Sequence, residues 1–283
     1  MTKQKGKVYF IGAGPGDPEL LTLKAAKILA KADVVIVDRL VSEAIINDYT
    51  NAKAIIVPVG KQGNSNASTS QQDINDLIVK YALHYETVVR LKGGDTSLYS
   101  NILDELISVN EHHIPYEIIP GITALSGASA ATGVPLTARG LATGVRILTY
   151  YQNSAIADDA WKQLASFEDT LVLYMTASAL PQLVEKLLLH GADASIPFLV
   201  VEQATTANQH VYEFTLSNFD NTKQYGFISP SLVIMGKVTA LYKQFAWMPN
   251  NNERKPYFEE LLERTELISL INTIQQSTNV SRA

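Results

Sequence analysis

Short apolar runs alternate with amphipathic segments along the first part of the chain. Runs such as 34–37 and 54–57 are rich in valine and isoleucine, and unbroken apolar runs of this length are typical of strands that are buried on both faces of a sheet. Between the runs, apolar residues recur at intervals of three and four, as in 70–81, and this spacing predicts an amphipathic helix. Because strands that alternate with helices form parallel sheets, the pattern predicts an α/β domain over residues 6–120.

Pro120-Gly121 interrupts this alternation and marks the predicted boundary between two domains. Beyond it, the apolar runs continue with fewer helical segments between them, which predicts a second α/β domain with a more mixed sheet over residues 121–246. Its predicted strands are 145–149, 170–174, 198–201, 210–214 and 232–235. Residues 247–283 form a tail in which two short helices are expected, 256–264 and 266–275.

The first strand runs into a glycine-rich turn. Residues 8–11 are apolar and β-prone, and glycines follow at positions 12, 14 and 16, a composition that predicts a strand and then a tight turn. Asp17 is placed to cap the helix that follows, with Pro18 at the first helical position. Glycines at the carboxyl end of a strand let a ligand approach the backbone, and this is the edge of an open α/β sheet at which ligands bind.

A dinucleotide site is one interpretation of this turn. The signature of such a site is G-x-G-x-x-G, but here Asp17 stands where the third glycine belongs and Pro15 interrupts the loop. A carboxylate at the start of a helix opposes a bound pyrophosphate, so the loop suits a ligand without phosphates better. Asp38, at the end of the second apolar run, has the position of a ribose-binding acid, and NAD binding therefore stays open as the alternative.

Composition narrows the class of protein further. The chain has 283 residues, 46% of them hydrophobic, and no cysteine, which excludes disulfides and thiolate metal sites. The five histidines have no metal-ligand spacing, so no metal is expected. The net charge of −5 gives no overall attraction for nucleic acid or for anionic membranes. The polar N-terminus and the lack of an apolar run of ~20 residues favour a soluble cytoplasmic protein.

The turn at Gly12–Asp17 and a series of later motifs together resemble the tetrapyrrole methylases, and among them the uroporphyrinogen-III C-methyltransferases. After Leu20-Leu21-Thr22, the matching segments are 38–42, 60–61, 72–75, 88–95, 120–124, 135–137, 174–175, 229–230 and 236–238. Each segment is short, and their common order over residues 7–246 makes the resemblance specific. It implies two α/β domains with the active site in the cleft between them, and a homodimer.

The resemblance also implies an activity, that of a methyltransferase of porphyrin biosynthesis that uses S-adenosylmethionine. The implied reaction transfers two methyl groups to uroporphyrinogen III and gives precorrin-2, on the route to sirohaem and cobalamin, with S-adenosylhomocysteine as the by-product. One alternative is a methylase of another precorrin or of a different substrate. Another is a binding protein of the same fold that has lost turnover.

The resemblance assigns the residues of the site. The implied contacts to S-adenosylmethionine are Pro15, Gly93, Gly94, Asp95, Leu98, Thr123, Ala124, Met175 and Ala204. Asp38 and Lys61 are the implied proton acceptor and proton donor. Arg39 and Arg139 are the implied partners of the substrate's carboxylates. Asn101 stands in the substrate-binding position of a family arginine.

Each of these assignments has a plainer alternative. Gly93 and Gly94 suit an ordinary turn between a strand and a helix, and Met175 suits core packing, where most buried methionines lie. Asp38 suits a helix cap or a partner for Arg39. The basic residues suit a solvated surface, where ion pairs contribute little to stability.

The sequence departs from the family on the side that holds the tetrapyrrole. The family's Gly-Lys-Arg-x-Gly-x-His loop is represented by 60–66, without the arginine and the histidine. Its proline, Phe-Gly-Arg-Gly and paired acids after Gly-Gly-Asp are replaced by 96–105, and Ala138 stands in place of the histidine of Leu-Thr-His-Arg. The methyl-donor motifs are intact, so the sequence supports cofactor binding better than it supports the identity of the substrate.

Overall fold

The computed structural model describes residues 5–60, 69–151 and 156–258 of the chain. It divides into two compact units, of which the first contains the described residues up to Thr123 and the second contains Ala124–Tyr257. The predicted domain boundary after residue 120 lies close to this division. Every helix in the described ranges is too short or too polar to span a bilayer.

The first unit is built on a five-stranded parallel sheet. Its strands are β1 (Lys7–Gly12), β2 (Val34–Asp38), β3 (Ile55–Val59), β4 (Thr87–Lys92) and β5 (Tyr116–Ile119), in the spatial order β3-β2-β4-β1-β5. Neighbouring strands are parallel throughout. The connecting helices are α1 (Leu23–Leu29), α2 (Glu43–Tyr49), α3 (Gln71–Ala82) and α4 (Ile102–Glu111). The prediction of a parallel α/β sheet is confirmed.

The helices cover both faces of this sheet because successive side chains of a strand point to opposite faces. Ile11 of β1 packs with α1 and α2, whereas its neighbour Phe10 packs with α3 and α4. The crossovers that begin at β1 and β4 therefore lie on opposite faces and run in opposite directions along the sheet. The adjacent carboxyl ends of β1 and β4 form the topological switch point, the place at which open α/β sheets bind ligands.

The glycine-rich turn after β1 leads into a 3₁₀ turn before the first α-helix. The Asp17 carboxylate accepts a hydrogen bond from the Glu19 N–H at 2.9 Å and caps this turn, Pro18–Leu20. The Thr22 hydroxyl then caps α1. The predicted capping role of Asp17 is confirmed, but the helix that follows has its own cap and starts later than the sequence suggests.

The segment before α4 is irregular, although the sequence of 98–109 predicts a helix that starts at about residue 98. Tyr99 and Asn101 both have a φ of 53°, in the left-handed region that a right-handed helix cannot include. Asparagine adopts this conformation more readily than most residues. The backbone conformation therefore explains an asparagine at position 101 without reference to a substrate. The helix α4 therefore begins at Ile102.

The second unit carries a mixed sheet, as predicted. Its strands are β6 (Val145–Thr149), β7 (Thr170–Tyr174), β8 (Pro197–Glu202), β9 (His210–Thr215) and β10 (Ser231–Met235), in the order β6-β7-β10-β8-β9. The strands β6 and β7 are parallel, and the other neighbouring pairs are antiparallel. Its helices are α5 (Ala124–Thr132), α6 (Asp158–Ala165), α7 (Leu180–Leu189) and α8 (Tyr242–Phe245). The helix α6, whose Trp161 and Leu164 are buried in the core of this unit, is not among the predicted elements.

The last described residues lie against the loop between β8 and β9. The Gln203 side chain donates to the carbonyl of Lys255 at 3.0 Å and accepts from the N–H of Tyr257 at 2.6 Å. Residues 247–257 therefore pack as an irregular strap on the second unit. The two helices predicted in the tail fall largely outside the described residues.

Candidate functional site

Three loops meet at the switch point of the first sheet. The loops after β1 and β4 are joined by two hydrogen bonds between Gly14 and Gly94, from N–H to carbonyl in each direction, at 3.0 and 2.8 Å. Gly14 has a φ of 84° and Gly94 a φ of 69°, which glycine adopts without strain. Pro15, which follows Gly14, is buried here. The structure thus joins two of the segments that are predicted to bind the methyl donor.

Asp95 connects the third loop, after β5, to the other two. Its Oδ2 accepts from the Gly121 N–H at 2.9 Å, and its Oδ1 accepts from the Ser97 N–H at 2.8 Å. Burial acts to raise the pKa of this carboxyl group, but the hydrogen bonds from Ser97 and Gly121 outweigh it, so the pKa lies below its usual value. Asp95 is therefore an anion at neutral pH that holds the loop backbones with both of its oxygens.

The glycines of these loops are required because the protein's own backbone fills the space beside them. A Cβ atom on Gly12 would lie 2.6 Å from the nitrogen of Gly121, and one on Gly121 would lie 2.3 Å from the carbonyl oxygen of Gly94. A Cβ atom on Gly93 would lie 2.7 Å from the carbonyl oxygen of Leu40. In the sequence Gly12 and Gly93 suggest room for a ligand, and the structure gives all three glycines a different reason: they let neighbouring segments of backbone pack closely.

A network of four charged side chains lies near the carboxyl ends of β2 and β4. Arg90 and Lys92 of β4 are 2% and 1% exposed, and Glu105 of α4 is fully buried. Glu105 accepts from Arg90 Nε at 2.9 Å, and each of its oxygens accepts from Lys92 Nζ at 2.8 Å. Arg90 Nη2 donates to Oδ1 of Asp38 at 2.5 Å. The two cations and two anions balance each other, as buried charges must.

Burial and neighbouring charges act differently on the two cations of the network. Burial, together with the adjacent charge of Arg90, lowers the pKa of Lys92. Burial also acts to lower the pKa of Arg90, but the charges of Asp38 and Glu105 outweigh it and raise that pKa. Arg90 is therefore the permanent cation of the network.

Arg90, Lys92 and Glu105 were not predicted as site residues. A signal was present, because two cations in an otherwise apolar strand require anionic partners when the strand is buried. The partner was not identifiable, since Glu105 belongs to a segment, 96–105, that reads as a departure from the family. Its contact with β4 depends on how α4 packs on the sheet, which periodicity does not give.

Asp38 pairs with Arg90, and this corrects both plainer interpretations of Asp38, a helix cap or a partner for Arg39. The Asp38 side chain is 31% exposed. Lys61, the other predicted catalytic residue, lies outside the described residues. The predicted substrate-binding residues of the first unit, Arg39 and Asn101, are both exposed.

The other predicted contacts to the methyl donor are spread over both units. Leu98 and Thr123, in the first unit, are half-buried. Ala124 and Ala204, in the second unit, are half-buried as well. Arg139, a predicted substrate-binding residue of the second unit, is exposed in a turn. Their contact with ligands stays a prediction.

Met175 is the predicted contact with the most informative surroundings. It follows β7 directly, is 48% exposed and has a φ of 54°. Exposure of this extent excludes the core-packing interpretation, and strained non-glycine residues of this kind concentrate at functional sites. The Tyr151 hydroxyl donates to the Met175 sulfur at 3.3 Å. These features favour a binding role for the side chain.

The fold and the loops at the switch point are those of a known protein family. A family model described as Tetrapyrrole (Corrin/Porphyrin) Methylases matches residues 7–220. The chain belongs to the tetrapyrrole methylase family, and the resemblance identified from its motifs is confirmed.

Curated relatives with the name siroheme synthase match most of this chain. The relative from Acinetobacter baylyi is 43% identical over 248 residues, which are 87% of this chain and 54% of the relative. The relative from Pseudomonas putida is 42% identical over 246 residues, which are 87% of this chain and 53% of the relative. The chain therefore spans about half the length of these curated relatives.

Solved structures of related methyltransferases have the same fold. Uroporphyrin III C-methyl transferase from Thermus thermophilus is 35% identical with a TM-score of 0.70, and the match covers 83% of this chain and 100% of that chain. A second structure of the Thermus protein is complexed with S-adenyl homocysteine. A cobalt precorrin-4 methyltransferase has a TM-score of 0.72 at 24% identity, a likeness that concerns the fold alone.

Proposed function

We propose that this chain transfers methyl groups from S-adenosylmethionine to uroporphyrinogen III, with precorrin-2 as the product of two transfers. The observation that carries the proposal is the intact hydrogen-bonded junction of Gly14, Gly94 and Asp95, because these residues lie in the methyl-donor motifs of the family. The Thermus protein, complexed with S-adenyl homocysteine, supports the same reaction class. Precorrin-2 is a precursor of both sirohaem and cobalamin, and the siroheme synthase relatives favour the former.

In the proposed reaction, a pyrrole carbon of the substrate attacks the methyl carbon of the sulfonium. The new carbon–carbon bond forms as the carbon–sulfur bond breaks, and the electron pair stays on sulfur, so S-adenosylhomocysteine leaves as a neutral thioether. The macrocycle becomes cationic and returns to neutrality by losing a proton to a base. Because the donor is already activated, the protein has to align the reacting atoms, exclude water and accept the proton.

Asp38 is the proposed proton acceptor. Its carboxylate ends β2, at the same edge of the sheet as Gly14 and Gly94, and the exposed 31% of its side chain leaves a substrate access to it. Asp95 is a second anionic residue at this edge of the sheet, and its negative charge can offset the positive charge of a bound sulfonium. Lys61 is the proposed proton donor on the basis of the family resemblance alone.

The proposed substrate carries eight carboxylates that require basic partners. Arg39 and Arg139 are exposed and can each bind a carboxylate through two parallel hydrogen bonds. Asn101 has no charge to offer, so we propose that Arg139 compensates for it. The homodimer and the cleft between the domains remain predictions that follow from the family.

The purified chain is expected to bind S-adenosylhomocysteine and not NAD. The reason is that the Asp17 carboxylate caps the start of the 3₁₀ turn Pro18–Leu20, where a pyrophosphate of NAD would meet a like charge. Isothermal titration calorimetry with each ligand measures the difference. Tight binding of NAD without any heat from S-adenosylhomocysteine contradicts the proposed cofactor.

Arg139→Ala is expected to lower kcat/KM for uroporphyrinogen III at least about tenfold, because a charge-assisted hydrogen bond contributes roughly 1.5–3 kcal/mol. The assay is an incubation with S-adenosylmethionine without oxygen, followed by mass spectrometry that counts the added methyl groups. Arg146→Ala removes an exposed arginine of β6 and serves as the matched control.

Asn101→Arg, in the same assay, is expected to leave turnover unchanged or to improve it. The φ of 53° at this position makes the variant less stable by about 1 kcal/mol. An Arg139→Ala variant with normal turnover contradicts the proposed compensation. If the unaltered chain adds no methyl group to uroporphyrinogen III, another precorrin becomes the better candidate substrate. The segment 96–101, which departs from the family motif, would then reflect a different substrate.

A further inference from the structure

We propose that Arg90 is a positioning residue for the methylation: it holds Asp38 by one carboxylate oxygen and leaves the other oxygen to take the substrate's proton. The proposal rests on the proposed function, in which Asp38 is the proton acceptor. Arg90 itself is 2% exposed, so it acts on the reaction through Asp38 and not by contact with the substrate.

The guanidinium of Arg90 is held on all sides. Nη2 donates to Asp38 and Nε to Glu105, at 2.5 and 2.9 Å. Nη1 donates to the carbonyls of Ile36 and Leu91, at 3.4 and 3.3 Å. Because a guanidinium is planar and its N–H directions are fixed, these contacts set the direction of the bond that Asp38 receives.

The sheet register brings the two side chains together. Arg90 of β4 lies opposite Ile36 of β2, and Asp38 follows two residues later on the same strand. Since Oδ1 of Asp38 accepts from Arg90, we assign the proton transfer to Oδ2. A base that is fixed in one orientation does not have to be ordered again at every turnover, and such pre-alignment is a large part of catalysis.

Arg90→Met is a suitable test because it leaves no fully buried charge without a partner. Glu105 keeps Lys92 as its partner through two bonds of 2.8 Å, and Asp38 is exposed enough to be hydrated. Methionine has a similar length and fills a buried space without a charge. Asp38→Ala removes the group that Arg90 is proposed to hold, and Arg146→Met repeats the chemical change at an exposed site.

A double-mutant cycle measures whether Arg90 acts through Asp38. We expect Arg90→Met to lower kcat about tenfold or more, with changes in KM below about threefold, because positioning affects the reacting group and not substrate binding. In the Asp38→Ala background, the same change is expected to alter kcat less than about twofold.

Equal losses in the two backgrounds, or a loss confined to KM, overturn the role of Arg90 while leaving the proposed function intact. If the unaltered chain does not methylate uroporphyrinogen III, the proposed function fails, and the same four proteins are compared by urea unfolding. We then expect Arg90→Met and Asp38→Ala to be coupled: the effect of one substitution on the unfolding equilibrium constant should differ roughly tenfold with and without the other. A coupling below about twofold overturns the claim that Arg90 holds Asp38.

Discussion

Glu105→Gln is expected to lower the free energy of unfolding by about 3–5 kcal/mol, the usual cost of removing one partner of a buried ion pair. Glutamine has nearly the same shape, but it leaves Arg90 and Lys92 buried with Asp38 as their anion. Urea unfolding at pH 7, followed by circular dichroism, measures the loss.

The deficit of Glu105→Gln should shrink as the pH rises from 7 toward 10. Lys92 has a lowered pKa already in the unaltered protein because of burial and of Arg90, and without Glu105 its charge becomes still less favourable in the folded state. A lysine whose pKa is lower in the folded than in the unfolded chain carries its full penalty to stability below the folded pKa, and this penalty is relieved as the pH rises from the folded toward the unfolded pKa.

Asp104→Asn provides the control for Glu105→Gln. Asp104 precedes Glu105 on α4 but is exposed, so its loss is expected to change stability by no more than about 0.5 kcal/mol. Equal effects of the two substitutions would show that the buried network contributes nothing beyond an ordinary surface charge.

Gly121→Ala is expected to destabilise the first unit by about 3 kcal/mol or more, at or beyond the upper end of the usual cost of overpacking. The added Cβ would lie 2.3 Å from the carbonyl oxygen of Gly94 and 2.7 Å from the carbonyl carbon of Gly12. Both neighbours are backbone at the ends of central strands, so no side chain can move aside. The loops that Asp95 holds must then separate, and binding of S-adenosylhomocysteine should fall as well. Thermal unfolding and calorimetry measure the two effects.

Gly140→Ala separates steric effects from conformational ones. Gly140 has a φ of 79° but nothing within 4 Å of an added Cβ, so its substitution carries only the left-handed penalty of about 1–2 kcal/mol. A larger loss at Gly140 than at Gly121 contradicts the close packing of the three loops.

Much of the fold follows from local patterns in the sequence. The apolar run at 34–37 predicts β2, and the capping residue and spacing of 70–81 predict α3, because buried strands and amphipathic helices each require one periodicity. The start of α4 was predicted too early in the chain, because the periodicity does not reveal that the backbone at Tyr99 and Asn101 is left-handed. Such positions are decided by the contacts of the turn and not by apolar spacing.

The candidate site was predictable only where it depends on short motifs. The glycine-rich loops and Asp95 are local features, and the structure brings their backbones together. The pairing of Arg90 with Glu105 and Asp38 depends on which helix and which strand lie beside β4. That arrangement follows from the order of the strands, which a single sequence does not reveal.

Two sets of hydrogen bonds, Gly14 with Gly94 and Asp95 with Gly121, affect the rate and the affinity of ligand binding at this edge. These hydrogen bonds are made entirely within the chain. The three loops at this edge of the sheet are therefore in place before any ligand arrives. An incoming molecule gives up its own freedom, but it does not have to order three separate loops, and ordering a single rotamer-rich side chain at an interface already costs roughly 0.5–1.5 kcal/mol. For a ligand that binds at this edge, association is expected to be limited by encounter and orientation, because no slower step of loop assembly has to precede it.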